Sequence, residues 1–93
     1  MPFSRKRLLV YEVLIERRVE RDLKRLPLRE FNRITRAMKE LAQDPRPSGS
    51  RKLVGSERDR RVRVGDYRVL YEIDDAGKVV RILHVRHRRE ASR

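Results

Sequence analysis

The spacing of apolar residues changes once along this 93-residue chain, from a period typical of helices to one typical of strands. From Val19 to residue 42, apolar side chains recur every three or four positions; beyond residue 50 they alternate with polar ones. The segment between, residues 44–50, holds two prolines, one glycine and two serines, which predicts a connecting loop. A chain of this length forms one small domain.

Two helices and a strand are predicted before the loop. Val19, Leu23 and Leu26 recur at i, i+4 and i+7, and Pro27 ends this short helix while suiting the first turn of the next. Residues 9–16, rich in β-branched and apolar side chains, predict a strand ahead of the first helix. The second helix carries one apolar stripe: Phe31, Ile34, Met38, Leu41 and Ala42.

Strands are predicted after the loop, at residues 60–64, 67–74 and 79–86, with a shorter one at residues 51–54. The order is a strand, two helices and then a meander of strands. This order predicts an α+β fold, an antiparallel sheet with two N-terminal helices packed on one face.

Two turns fix the register of the meander. Gly65-Asp66 predicts a two-residue hairpin loop, because glycine supplies a positive φ. That loop pairs Arg63 with Arg68 and, beside them, Val64 with Tyr67, Val62 with Val69 and Arg61 with Leu70. Ala76-Gly77 predicts the next hairpin, which pairs Asp75 with Lys78, Glu72 with Arg81, Ile73 with Val80 and Tyr71 with Ile82.

The same register divides the sheet into an apolar face, expected to be the core, and a basic face. Continued along the last strand, it places His84 opposite Val69 on the apolar face, at the core margin. The basic face holds Arg61, Arg63 and Arg68, with Arg81, Val85 and His87 nearby. Like charges directly opposite in a sheet cost ~0.2–1 kcal/mol, so we interpret this face as an anion site. The alternative interpretation is an ordinary solvated surface.

The charge of the chain favours a polyanionic partner. Lys and Arg number 26 against 14 acids, a net charge of +12, and arginine suits bidentate phosphate recognition. The absence of cysteine excludes disulfides and thiolate metal sites, and two histidines make a metal site improbable. The apolar run at residues 8–15 is too short for a membrane span or a signal peptide, so we expect a soluble cytoplasmic protein.

Four segments of the chain together resemble the RelE/ParE superfamily, the small basic toxins of bacterial and archaeal toxin–antitoxin pairs. They are Tyr-Glu-Val-Leu-Ile at residues 11–15, Asp-Leu-Lys-Arg-Leu-Pro at 22–27, the basic strand and Gly-Asp-Tyr-Arg hairpin at 61–73, and His-Val-Arg-His-Arg-Arg-Glu at 84–90. The resemblance begins near residue 9 and implies a single toxin domain. Residues 1–8 lie outside it and are expected to form a flexible basic arm.

For the RelE-like branch, the resemblance implies a ribosome-dependent endoribonuclease that cuts messenger RNA without a cofactor. In that reaction a 2′-hydroxyl attacks the adjacent phosphate. By the resemblance, Arg61 and Arg63 match the basic residues of the family strand. Arg68 matches the arginine that holds the scissile phosphate, and Arg88 matches the arginine at the leaving oxygen. Neighbouring cations are expected to bind RNA: Lys52, Arg81, Arg86 and Arg89. Ser92 stands where many members carry a tyrosine that helps to orient the RNA.

The proton transfers admit two interpretations. A guanidinium group stays protonated at neutral pH and is a poor general base, so Arg61 and Arg63 would act electrostatically. His87 is the candidate for acid–base catalysis, because an imidazole exchanges its proton near neutral pH. Alternatively, the rate comes chiefly from positioning the 2′-hydroxyl in line with the phosphate.

The resemblance also implies protein partners. An antitoxin, usually acidic where it binds, would hold the toxin inactive; the ribosome and its messenger RNA would be the targets, and the free toxin is expected to be monomeric. Two other functions remain open at this point. One is a ParE-like toxin that inhibits DNA gyrase by binding without cutting RNA, and the other is a basic nucleic-acid-binding module without toxicity.

Overall fold

The computed structural model describes residues 10–91, and their fold is α+β, as predicted. Residues 1–8, expected to form a basic arm, and Ser92 lie outside the described residues. In chain order the elements are β1 (Glu12–Ile15), α1 (Arg17–Lys24), α2 (Leu28–Gln43), β2 (Ser50–Lys52), β3 (Asp59–Val64), β4 (Tyr67–Asp74), β5 (Val79–His87) and α3 (Arg88–Ala91).

The strands form one five-stranded sheet in the order β1-β5-β4-β3-β2. β2 to β5 are antiparallel, as predicted, whereas β1 runs parallel to β5, with Val13 opposite Val80 and Ile15 opposite Ile82. The sheet is therefore mixed rather than wholly antiparallel. A hairpin turn forces neighbouring strands to be antiparallel, but β1 is joined to the sheet only through the two helices, so no turn fixes its direction.

Both helices bury their apolar stripes, as their spacing predicts. Val19 and Leu23 of α1 and Ile34, Met38 and Leu41 of α2 are buried. Opposite them lie the buried side chains of the sheet: Val69, Tyr71, Ile73, Val80, Ile82 and Val85. The Tyr71 hydroxyl donates to the Pro45 carbonyl at 2.7 Å, which satisfies this buried polar group and ties the loop after α2 to the core.

The predicted hairpin registers are confirmed in β3, β4 and the first half of β5. Arg63 lies opposite Arg68 across the turn at residues 65–66, where Gly65 has a φ of +60°. The second turn pairs Glu72 with Arg81. Its positive φ, 57°, falls on Lys78 rather than on the glycine beside it.

A β-bulge at Leu83 makes the predicted register wrong for the rest of β5. Tyr71 faces Ile82, but the next residue of β4, Leu70, faces His84, so Leu83 is the extra residue. His84 is thus not the partner of Val69. A slip of one residue exchanges the two faces of a strand, and it places Val85 opposite Val69, where Val85 is 7% exposed.

Asp75, in the second turn, holds three segments of the chain together. The Arg46 guanidinium donates to both of its carboxylate oxygens, at 3.2 and 2.8 Å, and the Tyr11 hydroxyl donates to one of them at 2.6 Å. These bonds, from Arg46 first and then Tyr11, lower the pKa of Asp75 to about 2. The Lys78 ammonium lies 5.1 Å from the centre of the Tyr11 ring.

Candidate functional site

Three arginines form a row across β5, β4 and β3, the three middle strands of the sheet. Arg68 on β4 lies directly opposite Arg63 on β3 and directly opposite Arg86 on β5. Arg86 joins the row because the bulge moves it by one position, so the sequence-based register could not place it there. Opposed residues of neighbouring strands lie on the same face, and the row therefore occupies the face away from α1 and α2.

A second arginine pair lies beside this row. Arg51 on β2 is directly opposite Arg61 on β3, two residues along the strand from Arg63. An open pocket of about 570 Å³ joins the two groups; its lining residues are Gly49, Arg51, Arg61, Arg63, Gly65 and Arg68. The sequence predicts a strand near Arg51 but not its pairing, because residues 53–58 form an irregular connection to β3 rather than a tight turn.

None of these arginines has a carboxylate partner among the described residues. The ion pairs within residues 10–89 engage Arg33, Arg46, Lys52 and Arg81 instead. Guanidinium groups keep their charge throughout the physiological pH range. The surface therefore carries five uncompensated positive charges, those of Arg51, Arg61, Arg63, Arg68 and Arg86. We refer to these five residues as the arginine face.

Two cations predicted to bind RNA have partners elsewhere. Lys52 follows Arg51 on β2 and so projects from the other face, with its Nζ 3.9 Å from a Glu57 carboxylate oxygen. Arg81 lies on the arginine side of the sheet, but its guanidinium is 3.4 Å from Glu72 and 3.9 Å from Glu16. Because these two carboxylates offset its charge, Arg81 contributes little attraction for an anion.

His87 does not lie on the arginine face, so its predicted placement there is wrong. It is opposite Tyr67, and the two rings meet edge to face with centroids 5.1 Å apart. Tyr67 packs against the core on the helix side of the sheet. The His87 Nδ1 accepts a hydrogen bond from the Arg89 backbone N–H at 3.2 Å. The bulge is the cause, since it exchanges the faces of the residues that follow it.

His84 borders the same pocket as His87, one of about 490 Å³ beside α1. Its pKa is lowered, first by burial and then by the charges of Arg86 and Arg18, so the imidazole is neutral at pH 7. His84 lies opposite Leu70, on the same side of the sheet as Arg86, so the bulge moves it from its predicted place on the core face; as a neutral imidazole it adds no positive charge to the arginine face.

Arg88 begins α3 immediately after the last strand. Its backbone N–H donates to the Asp66 carbonyl at 2.7 Å, which fixes the start of α3 to the turn between β3 and β4. The sequence predicts that His87 is the residue near Asp66; the bond is made one residue later. Arg88 and Arg89 are both exposed, at the end of the sheet that carries Arg68 and Arg86.

Among the side chains of residues 10–89, no three acidic or histidine groups lie together so that they could hold a metal ion. No helix in the same part of the chain is long and apolar enough to cross a membrane. The arginine face, by contrast, is a basic surface suited to binding phosphate oxygens.

Comparisons with known proteins agree with this picture. Residues 13–92 match the family model of the ParE toxin of type II toxin–antitoxin systems, parDE. The archaeal RelE–RelB complex from Pyrococcus horikoshii OT3 contains a similar chain, 32% identical, with a TM-score of 0.78 over 85% of this chain and 96% of that one. The toxin–antitoxin complex RelBE2 from Mycobacterium tuberculosis contains another, also 32% identical, with a TM-score of 0.76 over 85% and 92%.

A more distant structure shares the fold alone. A variant of the E. coli toxin RelE in the free state is 22% identical, with a TM-score of 0.72 over 89% of this chain and 87% of that one. No protein of curated function matches the chain in sequence.

Proposed function

This chain belongs to the RelE/ParE superfamily and is the toxin of a type II toxin–antitoxin system, and we propose that it is a ribosome-dependent endoribonuclease that cleaves messenger RNA and so inhibits translation. The observation that carries the proposal is the arginine face, where five guanidinium groups lie without carboxylate partners among the side chains of residues 10–89. A protein gains nothing in stability from opposed like charges. A bound phosphodiester would supply the missing negative charge.

The proposed reaction is an attack of a ribose 2′-oxygen on the adjacent phosphorus. The bond from phosphorus to the 5′-oxygen breaks, leaving a 2′,3′-cyclic phosphate on one fragment and a 5′-hydroxyl on the other. Arg68, flanked by Arg63 and Arg86, would hold the non-bridging oxygens as their charge grows in the transition state. Arg88 would donate a hydrogen bond to the leaving 5′-oxygen, which would take its proton from solvent.

We further propose that positioning and electrostatic stabilisation supply most of the rate. Arg61 and Arg63 remain protonated and cannot take the 2′-proton. The contact of His87 with Tyr67, on the other side of the sheet, argues against its reaching a phosphate held by Arg68. Fixing the 2′-hydroxyl in line with the leaving oxygen is then the main contribution, and solvent or the ribosome would accept the proton.

The second candidate function is inhibition of DNA gyrase, because the family model that matches residues 13–92 is that of ParE. Adding the purified toxin to a translation reaction and to a gyrase supercoiling reaction separates the two. We expect messenger RNA cut at codon-spaced positions, normal supercoiling, and cutting by Arg68→Ala that is about 100- to 1,000-fold slower. Intact messenger RNA with arrested supercoiling would refute nuclease activity and support the second candidate.

An antitoxin is the proposed protein partner. The two similar chains at 32% identity are both in complexes with antitoxins. With a net charge of +12, this toxin would attract an acidic antitoxin segment. We propose that the free toxin is a cytoplasmic monomer that the antitoxin keeps away from the ribosome.

A further inference from the structure

We infer that the arginine face binds two successive phosphates of one RNA strand, and that Arg51 with Arg61 forms the second phosphate position. The inference deepens the proposed function and depends on it for the identity of the polyanion. The first position is the row of Arg63, Arg68 and Arg86, which holds the scissile phosphate. Arg51 is thus a positioning residue, since it acts on the neighbouring phosphate rather than at the reacting atoms.

The geometry separates the two positions by one step of the sheet. Arg61 and Arg63 lie on the same face of β3, two residues and about 7 Å apart. Arg51 lies directly opposite Arg61, and Arg68 lies directly opposite Arg63. Successive phosphates of an extended RNA strand are separated by a comparable distance. A strand that follows β3 would therefore place one phosphate at each position.

The pocket between the positions is open to an RNA backbone. Gly49 and Gly65 line it together with four of the arginines, so two of its lining residues have no side chain. A Cβ atom at Gly49 would meet no other atom within 4 Å, which shows that the space beside it is unfilled. Phosphate oxygens can therefore approach the backbone there as well as the guanidinium groups.

Cations on the other face of β2 and β3 have protein partners, whereas Arg51 has no carboxylate partner among the described residues. Lys52, next along β2, lies 3.9 Å from Glu57. Arg60, next to Arg61 on β3, donates to the Ser50 Oγ at 2.9 Å. Both project from the other face and both have a protein partner. On the arginine face, Arg51 and Arg61 oppose each other and have none among the described residues, which is the arrangement that an anion stabilises.

Messenger RNA with a single methylphosphonate tests the inference, because this group removes the charge of one chosen phosphate. The readout is single-turnover cleavage on the ribosome by the wild-type toxin, by Arg51→Ala, and by Arg29→Ala, an exposed α2 control that also loses one charge. We expect Arg51→Ala to raise the toxin concentration needed for half-maximal single-turnover rate by roughly 10- to 100-fold, with a smaller effect on the maximal rate. Arg51→Lys should recover part of this loss.

The decisive result is non-additivity. A methylphosphonate at one phosphate next to the scissile one should weaken wild-type cleavage as much as Arg51→Ala does and should not weaken Arg51→Ala further. A methylphosphonate elsewhere should weaken both proteins equally. If every position gives additive losses, or if Arg51→Ala behaves like Arg29→Ala, the second phosphate position does not exist.

A binding measurement separates failure of this inference from failure of the proposed nuclease. Fluorescence anisotropy with 2′-O-methyl oligonucleotides of two and three nucleotides compares one phosphate with two. The wild-type toxin should bind the longer one more tightly. Arg51→Ala should lose that gain, and the slope of its log affinity against log salt concentration should be smaller in magnitude by about 0.7. This outcome supports two positions even if no RNA is cut. An equal gain and slope in both proteins would overturn the inference even if cleavage occurs.

Discussion

Arg68 on β4 lies directly opposite Arg63 on β3, and neither guanidinium has a carboxylate partner among the described residues. The pair lies beside the turn that joins β3 and β4, and Arg68 is also opposite Arg86 on β5. Such an arrangement costs stability in the free protein and is compensated only when an anion is bound. The four predictions below test this interpretation of the sheet and the contacts that support it.

The first prediction concerns Arg68→Ala. Cleavage should fall about 100- to 1,000-fold, because a donor to the charge that develops on the phosphate is lost. Stability should stay equal or rise, since relief of like-charge repulsion is worth ~0.2–1 kcal/mol, which raises the Tm of a domain this size by no more than about 8 °C. Single-turnover cleavage and thermal unfolding measure the two effects, with Arg29→Ala as the control. A Tm several degrees lower with cleavage retained would make Arg68 a structural residue.

The second prediction concerns His87→Gln, which removes the titrating imidazole and keeps an acceptor for the Arg89 N–H. Because His87 contacts Tyr67 rather than the arginine face, we expect cleavage within a few-fold of wild type and an unchanged dependence on pH between about 5.5 and 8. Arg29→Ala, at an exposed residue of α2, is the control. A loss of about 100-fold or more, or the disappearance of one limb of the pH profile, would assign acid–base catalysis to His87.

The third prediction concerns Arg81→Ala. Cleavage should be nearly unchanged, because the charge of Arg81 is already offset by Glu72 and Glu16. The free energy of unfolding should fall by ~0.2–1 kcal/mol, the usual worth of partly exposed ion pairs. Urea denaturation of Arg81→Ala, Glu72→Gln and the double variant measures the coupling of the pair. A large loss of cleavage at unchanged stability would restore Arg81 to the RNA-binding residues.

The fourth prediction concerns the acid stability that Asp75 contributes. Its folded-state pKa of about 2 lies below the ordinary value of 3.8. Its contribution is therefore complete above pH 3.8 and is lost as the pH falls through about 2. Between these values the Tm of the wild-type protein should decline more steeply than that of Asp75→Asn, with Asp66→Asn as the control. Parallel declines in all three proteins would show that the bonds from Arg46 and Tyr11 do not stabilise the fold.

The sequence predicted the parts of the sheet that short turns control. The hairpin at residues 65–66 allows one pairing of its strands, so the opposition of Arg63 and Arg68 followed from turn length and side-chain alternation. The helices followed equally well, because their apolar residues keep one period and prolines mark their limits.

The structure differs from the sequence-based prediction where contacts between residues far apart in the chain determine the arrangement. Strict alternation after Ile82 brings His84 to the core, whereas one extra residue brings Val85, and burying a valine is more favourable than burying an imidazole. The preference depends on the difference in free energy between two folded arrangements. The local pattern of apolar and polar residues therefore does not indicate it. The partner of Arg51 and the direction of β1 likewise depend on connections that are not tight turns.

The bulge at Leu83 determines both which residue of β5 enters the core and which residue lies beside Arg68. If the bulge were closed with Leu83 retained opposite Leu70, His84 would take the place of Val85 in the core, and Val85 would replace Arg86 beside Arg68. Closing the bulge in this way would thus damage the core and the arginine face together. The register of β5 after Ile82 therefore serves both faces of the sheet at once.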